Sequence, residues 1–206
     1  MRREPAMTRL PAWHPAAFAR RRDVLAARAR ITRAVRAWFD AAGFTEVDTP
    51  ALQVCPGMEP HLQPFVTELV APEGLRRTRY LHTSPEFAMK QLLVAGMDRI
   101  YQLCHVFRNA ERAATHAPEF AMLEWYRAGA GLADLVADCA SLLRVACAAA
   151  GTDRLAWRGR VCDPAAEPEV LPVAVAFRRH CGIDLLATAP DPHAPDIEAV
   201  QWLPVE

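Results

Sequence analysis

Lysine is almost absent. Lys90 is the only one among twenty-four basic residues, and with alanine and proline abundant the arginine bias reads as an imprint of GC-rich codons. An excess of either charge is also missing, because twenty-four acidic residues balance the basic ones. That balance argues against a general nucleic-acid or membrane-surface binder, which needs a basic excess, while leaving room for a local basic pocket. No apolar run reaches the length of a membrane span: the most hydrophobic stretch, 132–151, is broken by Asp134, Asp138 and Arg144. The amino terminus opens basic, but Pro11, His14 and Pro15 fall where a signal peptide needs apolar residues, so the expected location is cytoplasmic. None of the six cysteines forms a C-x-x-C pair or has zinc-ligand spacing. Reduced, half-buried thiols and no metal site are therefore expected. G-x-G-x-x-G and the P-loop are missing too, which removes both common nucleotide fingerprints. What remains is a chain of 206 residues, 52% apolar and 23% charged, long enough to bury a core without staples.

Residues 1–19 carry three prolines and no periodicity and read as an extended arm. Val24, Ile31, Val35, Trp38 and Phe39 then fall at helical spacing with arginines opposite, which predicts an amphipathic helix over 21–42 stopped by Gly43. Alternation predicts strands at 44–50, 65–70 and 79–82, with a proline-rich loop at 53–64 and a turn at 72–74. Ser84-Pro85-Glu86 is a helix start: serine caps, proline suits the first turn, and glutamate favours the positive end. That helix runs to about 95. Strands at 100–107 and 119–127 flank a polar loop, and an alanine-rich helix follows over 132–150. Residues 152–172 read as irregular, and a short helix at 173–181 precedes a tail rich in proline and aspartate. Helix, then antiparallel-looking strands with a helix between them, predicts an α+β class and not a doubly wound sheet.

The unusual polar content sits on two neighbouring strands. Arg108 ends the apolar run 101–107, and on the next strand Phe120, Met122, Glu124 and Tyr126 share one face by period-two alternation. A carboxylate on an otherwise apolar face is costly unless it meets a cation or a donor. The loop between the strands offers Asn109, Glu111, Arg112 and His116. An arginine at a strand end with an aromatic just beyond suits a nucleotide: guanidinium for phosphate oxygens, ring for a base. Such a hairpin is also the ordinary form of a structural salt-bridge network, and the pattern alone leaves both readings open.

Phe107-Arg108-Asn109, His116-Ala-Pro-Glu-Phe120 and Ala-Met-Leu-Glu124-Trp-Tyr126 together resemble motif 2 of class II lysyl-tRNA synthetases. Gly43-Phe-Thr-Glu-Val-Asp-Thr-Pro50 with its preceding helix resembles motif 1, the family's dimer element, over about 30–52. Thr83-Ser-Pro-Glu-Phe-Ala-Met-Lys90 resembles the segment between the motifs, and motif 2 occupies about 100–127. Within the family the nearest likeness is to the short paralogues that ligate lysine to elongation factor P. The resemblance implies a class II synthetase-like antiparallel sheet flanked by helices, and ATP-dependent formation of lysyl-adenylate followed by lysyl transfer. It implies that Arg108 holds the α-phosphate and stabilises charge as pyrophosphate leaves. His116 would touch the outer phosphates and Phe120 would stack on adenine. Glu86 would meet the substrate α-ammonium, with Glu124 and Tyr126 lining the amino-acid pocket. The implied cofactors are ATP and Mg2+. The implied partners are lysine or β-lysine, elongation factor P, and a second copy of the chain through motif 1.

The sequence departs from the family pattern in places. Ala110 stands where the synthetases carry a glutamate that reads the adenine amino group, and Glu111 follows one residue later as its candidate replacement. Nothing in 130–206 resembles the family's second half, with its Mg2+-binding carboxylates and glycine-rich motif 3. The expectation is therefore a partial catalytic domain over 21–206 behind an arm at 1–20, incomplete at its carboxyl end. About twenty residues precede the motif 1 helix, too few for an anticodon-binding domain, which with zero net charge points away from tRNA. Three other readings stand beside this one: a non-catalytic dimerising or nucleotide-binding paralogue, a fragment of a lysine–tRNA ligase, and a separate interaction segment at 152–206.

Overall fold

The computed structural model describes residues 11, 13–19, 21–111 and 113–188. The chain divides into two compact units, Met1–Ala165 and Ala166–Glu206. Within the expected extended arm, Pro15–Ala19 instead form a helical turn, α1. Pro15 takes the first helical position, where its missing N–H costs nothing, and the His14 imidazole accepts the Ala16 N–H at 3.2 Å. The other arm residues, 1–10, 12 and 20, lie outside the described residues.

The amphipathic helix α2 spans Arg22–Ala41. Its inward residues are Ile31, Val35, Trp38 and Phe39, whereas Val24 stays exposed. The predicted stop is built in full. Gly43 takes a left-handed conformation (φ +77°), its N–H donates to Asp40 O at 3.1 Å, and the Phe44 N–H donates to Phe39 O at 3.0 Å. This is a Schellman ending, and the hydrophobic contact that accompanies it is Phe39 against Phe44, ring centroids 5.0 Å apart.

The predicted strand at 44–50 shrinks to β1, Thr45–Glu46, followed by β2, Leu52–Gln53. The reason is the partner: β1 pairs in parallel for only two residues, and Thr49 is then held by the Gln102 side chain instead of a ladder. β3 (Phe65–Val70) pairs antiparallel with β4 (Arg76–Leu81) over six residues. β4 thus begins three residues before the expected strand. Its arginines hide the alternation, and pairing with β3 decides the length. Helix α3 (Glu86–Val94) follows, then β5 (Arg99–Phe107) and β6 (Glu119–Arg127).

β5 and β6 pair antiparallel over all nine residues, from Arg99 opposite Arg127 to Phe107 opposite Glu119. One sheet runs β1-β5-β6 and a second runs β2-β4-β3. The β1–β5 pairing is parallel, so the first sheet is mixed, and the α+β class II synthetase-like character stands. On one face Tyr101, Leu123 and Trp125 pack against Ile31, Val35, Trp38 and Phe39 of α2, with Phe39 stacked on Tyr101 at 4.3 Å. Helix α4 (Leu132–Ala150) adds Leu142 to this core, and the Arg30 guanidinium donates to the Ala149 carbonyl at 3.0 Å near its end. Alternation puts Gln102, Cys104, Glu124, Tyr126 and Phe120 on the other face.

The stretch expected to be irregular contains a hairpin, β7 (Leu155–Trp157) with β8 (Arg160–Cys162). Arg158 and Gly159 both take positive φ at its two-residue turn, the geometry that matches strand twist. In the second unit, α5 (Val173–Cys181) falls where the periodicity placed it, and α6 (Leu185–Thr188) follows. Residues 189–206, the proline-rich tail, lie outside the described residues. Four cysteines depart from the half-buried expectation: Cys55, Cys139, Cys162 and Cys181 are exposed, whereas Cys104 is half-buried and Cys147 is buried. Among the described residues no helix is long and apolar enough to cross a membrane.

Candidate functional site

The segment between β4 and α3 organises the site. Thr83 is buried, and its carbonyl accepts from Arg108 Nε at 3.3 Å. Ser84 comes next. Its hydroxyl accepts the Glu86 N–H at 3.1 Å, capping the first turn from one residue before Pro85, which takes the N-cap position expected for the serine. The same hydroxyl donates to Glu124 Oε2 at 2.7 Å. Pro85, fully buried, sets the helix entry, and Glu86 opens α3. Two consecutive residues, Thr83 through its carbonyl and Ser84 through its hydroxyl, thus hold Arg108, Glu124 and the Glu86 N–H in one frame.

Glu124 is half-buried on β6 and accepts a second hydrogen bond from the Tyr126 hydroxyl. Burial pushes the Tyr126 phenol well above its ordinary value, helped by the hydrogen bond to Glu124 and the charges of Glu124 and Glu86. Tyr126 therefore stays a neutral donor at physiological pH, and Glu124 keeps oxygen lone pairs for a further donor. Glu86 Oε1 pairs with Lys90 Nζ at 2.5 Å. The carboxylate-on-an-apolar-face argument is answered by two neutral donors, which leaves the site negative and open to a cation.

Arg108 directly follows β5 and leans over Phe120, its guanidinium carbon 5.3 Å from the ring centroid. With Nε turned to Thr83, its terminal nitrogens make no hydrogen bond among the described residues. An open fork beside a half-exposed ring can take a phosphate and an aromatic base. Phe120 and Glu124 are four residues apart on β6, about 13 Å along the strand. The site therefore has an anion end and a cation end on one surface.

Two expected members make no hydrogen bond to Arg108, Phe120, Glu124 or Glu86 among the described residues. His116 is exposed, and its imidazole hydrogen-bonds among the described residues to Thr115 Oγ1, at 3.1 Å. Glu111 is half-exposed and makes no side-chain hydrogen bond among the described residues. Arg112 lies outside the described residues. Ala110 adopts φ +64°, which turns the chain sharply after Arg108, and its N–H donates to Asn109 Oδ1 at 2.9 Å.

Other residues enter that the sequence reading did not single out for chemistry. Ser84 was legible as a cap, and its second bond, to Glu124, spans forty residues. Gln102 lies directly opposite Glu124 in the sheet and is 1% exposed. Its Oε1 accepts from the N–H and hydroxyl of Thr49, while its Nε2 has no partner among the described residues. A polar residue amid an apolar strand was the available signal.

With this geometry in place, the comparisons with known proteins are specific. The family model of class II tRNA synthetases (D, K and N) matches residues 16–165. The chain belongs to that family. The elongation factor P–(R)-beta-lysine ligase of Actinobacillus succinogenes is 39% identical over 176 residues, covering 85% of this chain and 49% of that protein. The proteins of the same name from Mannheimia succiniciproducens and Pseudoalteromonas translucida are 43% and 42% identical over 134 and 149 residues, which cover 41% and 44% of those proteins. The chain spans about half the length of the curated relatives it matches.

Proposed function

We propose that the chain supplies the amino-acid and α-phosphate surface of a site that activates lysine or (R)-β-lysine with ATP, for transfer to a lysine of elongation factor P. The observation that carries this reading is the Thr83–Ser84–Glu86 segment holding both the open Arg108 fork and the Glu124–Tyr126 pair. The names of the relatives supply the substrate and the acceptor.

In this reading Glu86 meets the α-ammonium while Glu124 and Tyr126 receive the other end of the diamino acid. A substrate carboxylate oxygen attacks the α-phosphorus of ATP, the bond from that phosphorus to the bridging oxygen breaks, and pyrophosphate leaves. Arg108, aimed by the Thr83 carbonyl, holds the α-phosphate and stabilises the charge that develops there, a role of roughly 3 kcal/mol in the transition state. Adenine takes the face of Phe120 that the guanidinium leaves open. His116, exposed on the loop between β5 and β6, is assigned to the outer phosphates, and Glu111 to the adenine amino group. The acceptor amine then attacks the acyl carbonyl, AMP leaves, and the amine loses a proton. Arg108 and Phe120 fit ATP in donor type and exposure. For Mg2+, which needs several oxygen donors, no group of three metal-ligating side chains converges among the described residues.

The motif 1 and motif 2 segments, about 30–52 and 100–127, form the catalytic core of this reading. A homodimer through motif 1 belongs to it. Pro50 is exposed beside a hollow of about 530 Å3 lined by Asp48, Thr49, His82, Cys104 and His105. His82 Nδ1 has no partner there among the described residues. Acting on a translation factor places the protein in the cytoplasm, and tRNA is not proposed as acceptor.

Amino-acid-dependent ATP–pyrophosphate exchange tests the reading. Exchange driven by lysine or (R)-β-lysine and abolished by Arg108→Ala is expected. Exchange retained by Arg108→Ala removes the role given to that residue. Nucleotide binding and dimerisation without exchange would replace ligation with a non-catalytic function.

A further inference from the structure

Lys90, the only lysine of the chain, lies one helical turn after Glu86 on α3. Its Nζ stands 2.5 Å from Glu86 Oε1, with side-chain exposures of 54% and 34%. An exposed pair at this spacing is ordinarily a weak ornament of a helix surface. Here its surroundings differ. The Glu86 N–H is tied through the Ser84 hydroxyl to Glu124, so the residue that Lys90 pairs with is joined to the second carboxylate of the site by two hydrogen bonds. The hydrogen bond to Glu86 and its charge hold the ammonium above its ordinary range, and the charges of Glu124 and Glu59 act in the same direction. The group in this position is chemically the same primary ammonium that a diamino acid would bring.

We propose that Lys90 is the internal counter-ion of the amino-acid site: it neutralises Glu86 when no substrate is bound, and an incoming ammonium must displace it or share the carboxylate with it. The proposal rests on the reading of Glu86 and Glu124 as amino-acid-binding residues. Two consequences follow from charge alone. Lys90 lowers affinity for any ammonium at Glu86. It also favours ligands that carry a carboxylate with their ammonium groups over ligands that do not, because its removal leaves one more negative charge to repel that carboxylate. Lysine carries a carboxylate, and cadaverine, the same skeleton without it, does not.

The test uses the 206-residue chain with L-lysine and cadaverine as probes, measured by titration calorimetry at low and high salt. Lys90→Met is expected to bind lysine tighter by roughly two- to fivefold at low salt, and cadaverine by more. Both gains should shrink at high salt, and Lys90→Arg, which keeps the charge, should stay near the parent chain. A purely structural helix pair would leave the lysine-to-cadaverine ratio unchanged. If the parent chain binds lysine and Lys90→Met does so with the same affinity and ratio, the inference fails and the reading of the site stands. If neither protein binds lysine, that reading fails and takes the inference with it. Selective 15N,13C-lysine labelling gives one side-chain resonance and reads the pair directly. Its titration should fall toward that of a free lysine in Glu86→Gln, and saturating lysine should move it in the parent. A resonance that bound lysine does not move overturns the proposal.

Discussion

Arg127 and Asp138 form a two-bond ion pair between the end of β6 and the middle of α4, Nε to Oδ2 at 2.8 Å and Nη2 to Oδ1 at 3.0 Å. Asp138 is 5% exposed and Arg127 19%. The Trp125 indole N–H donates to the same Oδ2 at 3.2 Å, and the guanidinium lies 5.0 Å over the Phe44 ring. Asp138→Ala leaves two half-buried donors without their acceptor. The expected loss is about 3 kcal/mol, read as a lower urea midpoint with unchanged slope. Replacing both partners with apolar residues should cost much less than that single change.

Phe39 is fully buried and touches Tyr101, Phe44, Trp38 and Trp125 at once. Phe39→Ala should cost about 3–5 kcal/mol through lost burial and an unfilled cavity. Equilibrium unfolding measures it, and a loss below about 1 kcal/mol would mean that the helix–sheet interface repacks freely.

Ser84→Ala separates capping from site organisation. Loss of the cap alone should lower stability by about 1 kcal/mol. Loss of the hydrogen bond to Glu124 should weaken lysine binding by roughly tenfold, since the acceptor is charged. A variant with the stability loss and full affinity would confine Ser84 to capping.

The phenols of Tyr101 and Tyr126 make stability depend on alkaline pH. Burial comes first for both, then the hydrogen bonds to Glu46 and Glu124, and each phenol is raised above its unfolded value. The folded state therefore binds these protons more tightly than the unfolded one. Their stabilisation is complete below about pH 10, the ordinary tyrosine value, and is lost progressively as pH rises above it. Urea midpoints should fall from that pH upward, and Tyr126→Phe should flatten the fall. An unchanged slope in Tyr126→Phe would show that its phenol titrates normally.

Ala110 carries a left-handed φ of +64°, which disfavours any residue with a Cβ. Ala110→Gly should stabilise the chain by about 1 kcal/mol. Thermal unfolding checks this, and a lower melting temperature would mean that unfolded-chain entropy outweighs the relieved strain.

Much of the site was legible one residue at a time. Period-two alternation placed Phe120, Glu124 and Tyr126 on one face, and the structure keeps them there. The motif 2 pattern marked Arg108, which meets Phe120 as an arginine beside an aromatic should. His116 came from the same pattern and Glu111 from a departure from it at Ala110, yet both sit on a loop whose conformation no strand pairing dictates. The hairpin at 155–162 was missed because proline content nearby outweighed a two-residue turn of Arg158 and Gly159.

By itself the sequence determined what depends on neighbours within a turn or two. The amphipathic stripe of α2 and its end at Gly43 repeat every three to four residues or close within six. The alternation of β6 and the cap at Ser84 act over two. Tertiary structure decided what depends on partners far along the chain. It set the parallel pairing of β1 with β5, Gln102 opposite Glu124, and Asp138 as the acceptor for Arg127 and Trp125. It also joined Ser84 to Glu124 and Thr83 to Arg108, which turned a helix start into the frame of the site. The physical reason is range: periodicity is written in local geometry, whereas a buried donor takes its acceptor only once strand register and helix packing have brought the two together.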